Sequence, residues 1–102
     1  MNKGELLDTV AEKAGVSKNV ADAVVSATIE SIMEAVSSGD KVTLVGFGSF
    51  EPRDRKQREG RNPKTGETMS IPATTVPAFS AGKAFKVKVA AYDLIFLALL
   101  VL

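Results

Sequence analysis

No cysteine, histidine or tryptophan occurs among the 102 residues, and there is one tyrosine. Without cysteine there can be no disulfide framework, thiolate nucleophile, zinc–thiolate site or haem attachment motif. Without histidine the chain lacks the commonest general base and the commonest metal ligand. We therefore expect no enzyme, no metal and no cofactor. Met1–Val10 mixes acidic and apolar residues and has no apolar stretch of the secretory kind, so no signal peptide is expected. Internal repeats and long linkers are also missing, and the length suits one domain. A core this small often enlarges itself by oligomerising.

Net charge is nearly absent too: 13 Lys+Arg against 12 Asp+Glu leave +1. The distribution says more than the total. Residues 1–40 carry −4 and residues 41–102 carry +5. Between Arg53 and Lys64 the balance is +4 over twelve residues. Such asymmetry points to an end that faces a polyanion.

Asn2 followed by Glu5 reads as a helix start, with Leu6, Leu7, Val10, Ala11 and Ala14 on one face and Gly15 as the stop. Ser17 is the next cap. From it Ala21, Val24, Val25, Thr28, Ile29, Ile32, Met33 and Val36 form a wide apolar stripe, so two antiparallel helices joined by a short turn are expected. Lys41–Val45 is β-rich, Gly46 and Gly48 permit a tight turn, and Phe47–Phe50 begins a second strand. Pro77 confines the 75–79 stretch to a sheet edge or a bulge. Ser80 can cap a third helix carrying Lys83, Lys86 and Lys88.

Residues 51–75 are the most informative stretch. Their apolar members, proline aside, are Met69, Ile71 and Ala73. That is too little to fold down onto a core. Turn signals at Gly60–Gly66 imply a two-stranded arm, out along 51–59 and back along 67–75, projecting into solvent. An isolated ribbon is marginal in water, and this one is expected to be mobile until a polyanion holds it. A charge run ordinarily marks a solvated face. Here arginine outnumbers lysine four to two, which suits bidentate phosphate recognition. Pro63, at the tip, is open to two readings: simple turn chemistry, or a wedge pushed between base pairs.

Three other features have plainer readings. Gly46-Phe-Gly-Ser49 lacks the remainder of a phosphate-binding loop and is read as turn glycines. Phe47, Phe50 and Phe79 are read as core residues, numerous enough to suggest a core shared between two subunits. Ala11–Ala21 looks like a helix-turn-helix, which would make the second helix a major-groove reader, but only Lys18, Asn19 and Asp22 could reach base edges. A sequence-specific helix-turn-helix regulator stays as the alternative. Asp54, Glu59 and Glu67 are dispersed among arginines and do not form a catalytic constellation.

Leu94–Leu102 is nine consecutive apolar residues. A bilayer span needs about 20, so membrane insertion is not expected. Phe85, Val89, Tyr92, Phe96 and Leu99 keep helical spacing, and the segment reads as an extension of the third helix.

Gly46-Phe-Gly-Ser-Phe50, Arg53, Arg55, Arg58, Gly60-Arg-Asn-Pro63 and Thr65-Gly66, with the Met1–Leu6 start and Pro77–Lys83, resemble the HU/IHF family of bacterial histone-like proteins, nearest its HU branch. The resemblance covers about residues 1–90. It implies an α+β fold: an N-terminal helical hairpin, a three-stranded antiparallel sheet with a long protruding β-ribbon arm, and a C-terminal helix, in an intertwined homodimer. Residues 1–91 would be the DNA-binding domain, with its arm at about 51–75, and 92–102 an atypical apolar tail. Pro63 would intercalate at each tip; wedging of the minor groove is an established mode of that family and enters with the resemblance. Arg53, Arg55, Lys56, Arg58, Arg61, Asn62 and Lys64 would line the groove or its phosphates. Lys3, Lys18, Lys41, Lys83 and Lys86 would contact the flanking backbone. Phe47, Phe50, Phe79, Ile29 and Ile32 would form the dimer core. The implied partner is double-stranded DNA, with a preference for nicked, gapped or bent duplex, in the cytoplasm at the nucleoid; no small-molecule substrate is implied. Thr75, Ser80 and Asn19 depart from the family's frequent basic residues and would weaken the flanking contacts.

Overall fold

The computed structural model describes the backbone of residues 1–101 and the side chains of residues 1–92. The order is α1 (Lys3–Ala14), α2 (Lys18–Ser37), β1 (Val42–Leu44), β2 (Gly48–Arg55), β3 (Arg58–Arg61), β4 (Thr68–Ile71), β5 (Thr74–Ala81) and α3 (Lys83–Val101). This is the expected α+β architecture. The chain falls into two compact units, Met1–Ala35 and the remainder from Val36.

In the first unit, local chemistry sets the helix ends. The Asn2 side chain accepts from the Glu5 N–H, and Gly15 closes α1 in the left-handed region. Ser17 Oγ accepts from the Val20 N–H at 3.2 Å and starts α2. Lys3 reaches Asp22 and Ser26, whereas Asp8, further along α1, reaches Lys18. Contacts in that descending order make the two helices antiparallel. Leu7 and Ala21 are the buried apolar side chains among the described residues.

In the second unit, β1, β2 and β5 form an antiparallel sheet in that order. The β1–β2 turn depends on Gly48, where an added Cβ would lie 2.5 Å from both the Phe79 ring and the Ser80 carbonyl oxygen. Pro77 lies on the edge strand β5, as expected, and pairs with Pro52 of β2. Two facing prolines are tolerated because β1 has already ended, its last pairing being Val42 with Phe50.

Two expectations need correction. Ser80 does not cap the third helix: it pairs with Ser49, and β5 runs on to Ala81. The ladder with β2 claims the residue, and α3 starts only after Gly82, whose N–H donates to the Phe47 carbonyl at 2.8 Å. The arm is not one continuous ribbon either. Pairing stops at Arg55↔Thr74 and resumes at Arg58↔Ile71. Pro72 has no N–H to offer the gap.

The helix α3 continues to Val101, so the apolar tail does prolong it. The spacing invoked for Phe96 and Leu99 concerns side chains outside the described residues, and Leu102 lies outside them altogether. Among the described residues no helix is long and apolar enough to cross a membrane.

Candidate nucleic-acid interface

Register decides which arm side chains share a face, because cross-strand partners point the same way. In the distal ladder Arg58 and Gly60 face Ile71 and Met69, whereas Glu59 and Arg61 face Ser70 and Thr68. Arg58 and Arg61 therefore stand on opposite faces. Nearer the sheet, Arg53 and Arg55 share a face with Val76 and Thr74. Asp54 points the other way and accepts from the Thr75 hydroxyl at 2.9 Å. Across the gap in pairing, the Gln57 amide donates to Ser70 Oγ at 2.8 Å.

The tip is closed by its own hydrogen bonds. Asn62 and Glu67 are joined by an N–H···O bond of 2.8 Å, and the Gly66 N–H donates to the Asn62 carbonyl at 2.8 Å. Asn62 Oδ1 accepts from the Lys64 N–H at 2.9 Å. Pro63 and Lys64 are exposed at the end of the arm, and Asn62 is half-buried.

The cations divide into two classes. Lys3 pairs with Asp22 at 3.7 Å, Lys18 with Asp8 at 3.0 Å, Lys41 with Glu51 at 3.8 Å, and Arg53 with Glu51 at 3.5 Å. The first two are solvent-exposed and of small individual strength, whereas the other two share the half-buried Glu51. Arg55, Lys56, Arg58, Arg61 and Lys64 have no such partner among the described residues, nor have Lys13, Lys83, Lys86 and Lys88. Five of these unpaired cations follow one another within ten residues of the arm, from Arg55 to Lys64. Lys3 and Lys18 belong to the first unit; Lys41, Lys83, Lys86 and the arm belong to the second.

Lys18 and Asp22, two of the three polar groups that a groove-reading second helix would use, pair with Asp8 and Lys3 of α1. No group of acidic residues suited to a metal ion occurs among the described residues.

Phe47, Phe50 and Phe79 do come together, with ring centroids 4.9–6.3 Å apart. Phe85 completes the cluster, stacked 5.4 Å from Phe47, and sequence reasoning did not place it there. Its position three residues after Gly82 was the available signal: the Phe85 N–H bonds to the Gly46 carbonyl and docks the first turn of α3 on the β1–β2 turn. Phe47, Phe79 and Phe85 remain 45%, 44% and 37% exposed. Ile29 is 46% exposed on α2, and Ile32 is half-buried. The role of Glu51, which faces two cations at once, was also missed, since strand pairing alone brings Lys41 near it.

Comparison with known proteins gives a consistent result. The family described as bacterial DNA-binding protein matches residues 1–90. The chain is 76% identical over 90 residues to DNA-binding protein HU of Nostoc sp., covering 88% of this chain and 96% of the relative. It is 65% identical over 96 residues to DNA-binding protein HU of Synechocystis sp., with the same coverage. Among solved structures it is similar to HU in an Anabaena HU–DNA cocrystal, with a TM-score of 0.85 and 76% identity over 88% of this chain and 98% of that one.

Proposed function

The chain belongs to the HU family of bacterial DNA-binding proteins, and from that premise we propose how its own residues hold DNA. It is an architectural DNA-binding protein that engages duplex with low sequence specificity and bends it. The observation that carries this reading is the arm, along which Arg55, Lys56, Arg58, Arg61 and Lys64 have no acidic partner among the described residues and lead out to an exposed Pro63. Cations on both faces of a ribbon suit a partner with walls on both sides, as a groove has. The minor groove displays a degenerate pattern that mainly separates A·T from G·C, so little sequence is read there. Pro63 acts as the wedge, in the manner established for this family. Arg53 and Asn62 belong to the same arm surface, and Lys3, Lys18, Lys41, Lys83 and Lys86 meet the flanking phosphates.

The working unit is a homodimer. With so few buried apolar side chains and with Val24, Ile29, Met33, Phe47 and Phe79 all exposed, one copy does not cover its own apolar surface. A second copy does so, with Phe47, Phe50, Phe79, Ile29 and Ile32 at its core. Residues 1–91 form the DNA-binding domain and 92–102 an appended tail. Its place is the nucleoid, in the cytoplasm, and its task is binding, not catalysis.

Affinity comes mainly from phosphates. For roughly 6–10 of them, binding falls about 10³–10⁵-fold between about 50 and 200 mM salt. Nicked or gapped duplex avoids part of the unstacking cost of a few kcal/mol and is preferred. Anisotropy titrations on intact and nicked duplexes test the reading. Arg55→Ala with Arg58→Ala should weaken binding and flatten the salt dependence by about 0.9 per lost phosphate contact. Ser17→Ala with Asn19→Ala should leave DNA binding nearly unchanged. The reverse pattern would restore the helix-turn-helix alternative, and equal affinity for nicked and intact duplex would remove the wedge.

A further inference from the structure

We propose that Asn62 is the positioning residue for the Pro63 wedge: its carboxamide oxygen holds the turn that aims the proline ring, and it is not chiefly a DNA contact. The inference rests on the reading of Pro63 as a wedge and assigns the group that makes it effective.

The argument follows the backbone through the tip. Proline fixes its own φ through the pyrrolidine ring. The remaining soft dihedral of Pro63 is ψ, which sets the direction of the next N–H, that of Lys64. This N–H donates to Asn62 Oδ1 at 2.9 Å, so ψ is held as well. The arrangement is an Asx-turn with proline at its centre. Asn62 is fixed in turn by two backbone bonds of 2.8 Å, one to the Glu67 carbonyl and one from the Gly66 N–H. Gly66 meets this geometry at φ 72°, a left-handed value that suits glycine. Glu67, whose N–H reaches Thr65 Oγ1 at 3.3 Å, closes the far side. The ring is therefore held in one orientation relative to the tip turn before any duplex arrives. Pre-organisation of this kind lowers the ordering cost of binding.

The two ends of the carboxamide separate the possible roles. Oδ1 is engaged by Lys64, whereas the NH₂ group makes no hydrogen bond among the described residues and is the only end free to donate to a base edge. Asn62→Ser keeps an acceptor two residues before the Lys64 N–H and removes the NH₂. Asn62→Gln keeps the NH₂ but adds a methylene that carries the oxygen off the Asx-turn geometry. Asn62→Ala removes both ends.

The test uses the full chain and a nicked duplex with 2-aminopurine at the step beside the nick, whose fluorescence rises on unstacking. Affinity and the fluorescence rise at saturation are read together. Asn62→Ala and Asn62→Gln should weaken binding about 2- to 12-fold per arm, the worth of one hydrogen bond, and reduce the rise. Asn62→Ser should retain most of both. In a Pro63→Ala background, Asn62→Ala should cost nothing further. A Gln variant that matches wild type while the Ser variant fails would overturn the assignment in favour of direct base contact. An Asn62→Ala loss that persists undiminished without the proline would overturn it too. If Pro63→Ala keeps full affinity and fluorescence, the wedge reading falls and the positioning role falls with it. If Pro63→Ala is impaired while Asn62→Ala is not, the positioning role alone falls.

Discussion

Glu51 stands between two cations assigned to the duplex, Lys41 at 3.8 Å and Arg53 at 3.5 Å. One carboxylate thus partly neutralises both where the arm leaves the sheet. A polyanion must compete with it. Glu51→Gln removes that competitor and should raise DNA affinity at low salt by up to roughly 5-fold, since ion pairs of exposed cations contribute modestly. The gain should shrink as salt rises and screening grows. An anisotropy titration at two salt concentrations checks it; a loss of affinity would mean that Glu51 positions the cations instead of masking them. The individual arm residues were legible in the sequence because their polarity barred them from a core. The partners of Lys3, Lys18 and Lys41 were not, because Asp22, Asp8 and Glu51 lie on other segments and meet them only through packing.

At the scale of elements, the β1–β2 hairpin and the start of α3 depend on one another. Gly48 lets the Phe79 ring and the Ser80 backbone close over it, and the Gly46 and Phe47 carbonyls take the first donors at the head of α3. Gly48→Ala would set a methyl group 2.5 Å from those atoms. Overpacking of this kind costs typically about 1–3 kcal/mol, which chemical denaturation should detect as a lower midpoint with an unchanged slope. A variant as stable as wild type would show that the hairpin can shift without loss. The glycines announced a turn, and α1 and α2 announced their own caps, because those signals act over three or four residues. The end of β5 was misjudged at Ser80. A capping residue competes with a strand partner there, and the competition is settled by register against Ser49, some thirty residues away in the chain.

For the molecule as a whole, the exposed apolar side chains on α2 and around the phenylalanine cluster imply a dimer. The apolar tail stands apart from that requirement, since the family match ends at residue 90. A chain ending at Ala91 should keep its dimer, its DNA affinity within about 2-fold and its salt dependence, because the phosphate contacts that dominate binding lie elsewhere. Sedimentation together with a DNA titration checks this, and a large loss of either property would place the tail inside the working unit.

What the amino-acid order determined by itself was everything carried by composition and short range: a cationic stretch too polar to bury, helix caps three residues from their partners, and glycines where the chain must reverse. The tertiary structure decided the rest. It determined which lysines are neutralised, where the arm's ladder breaks, where the last helix begins, and that Lys64 closes onto Asn62 behind the exposed proline. Each of these depends on how chain segments meet in space, through strand register, side-by-side helices or a closed turn, and no window of neighbouring residues contains that information.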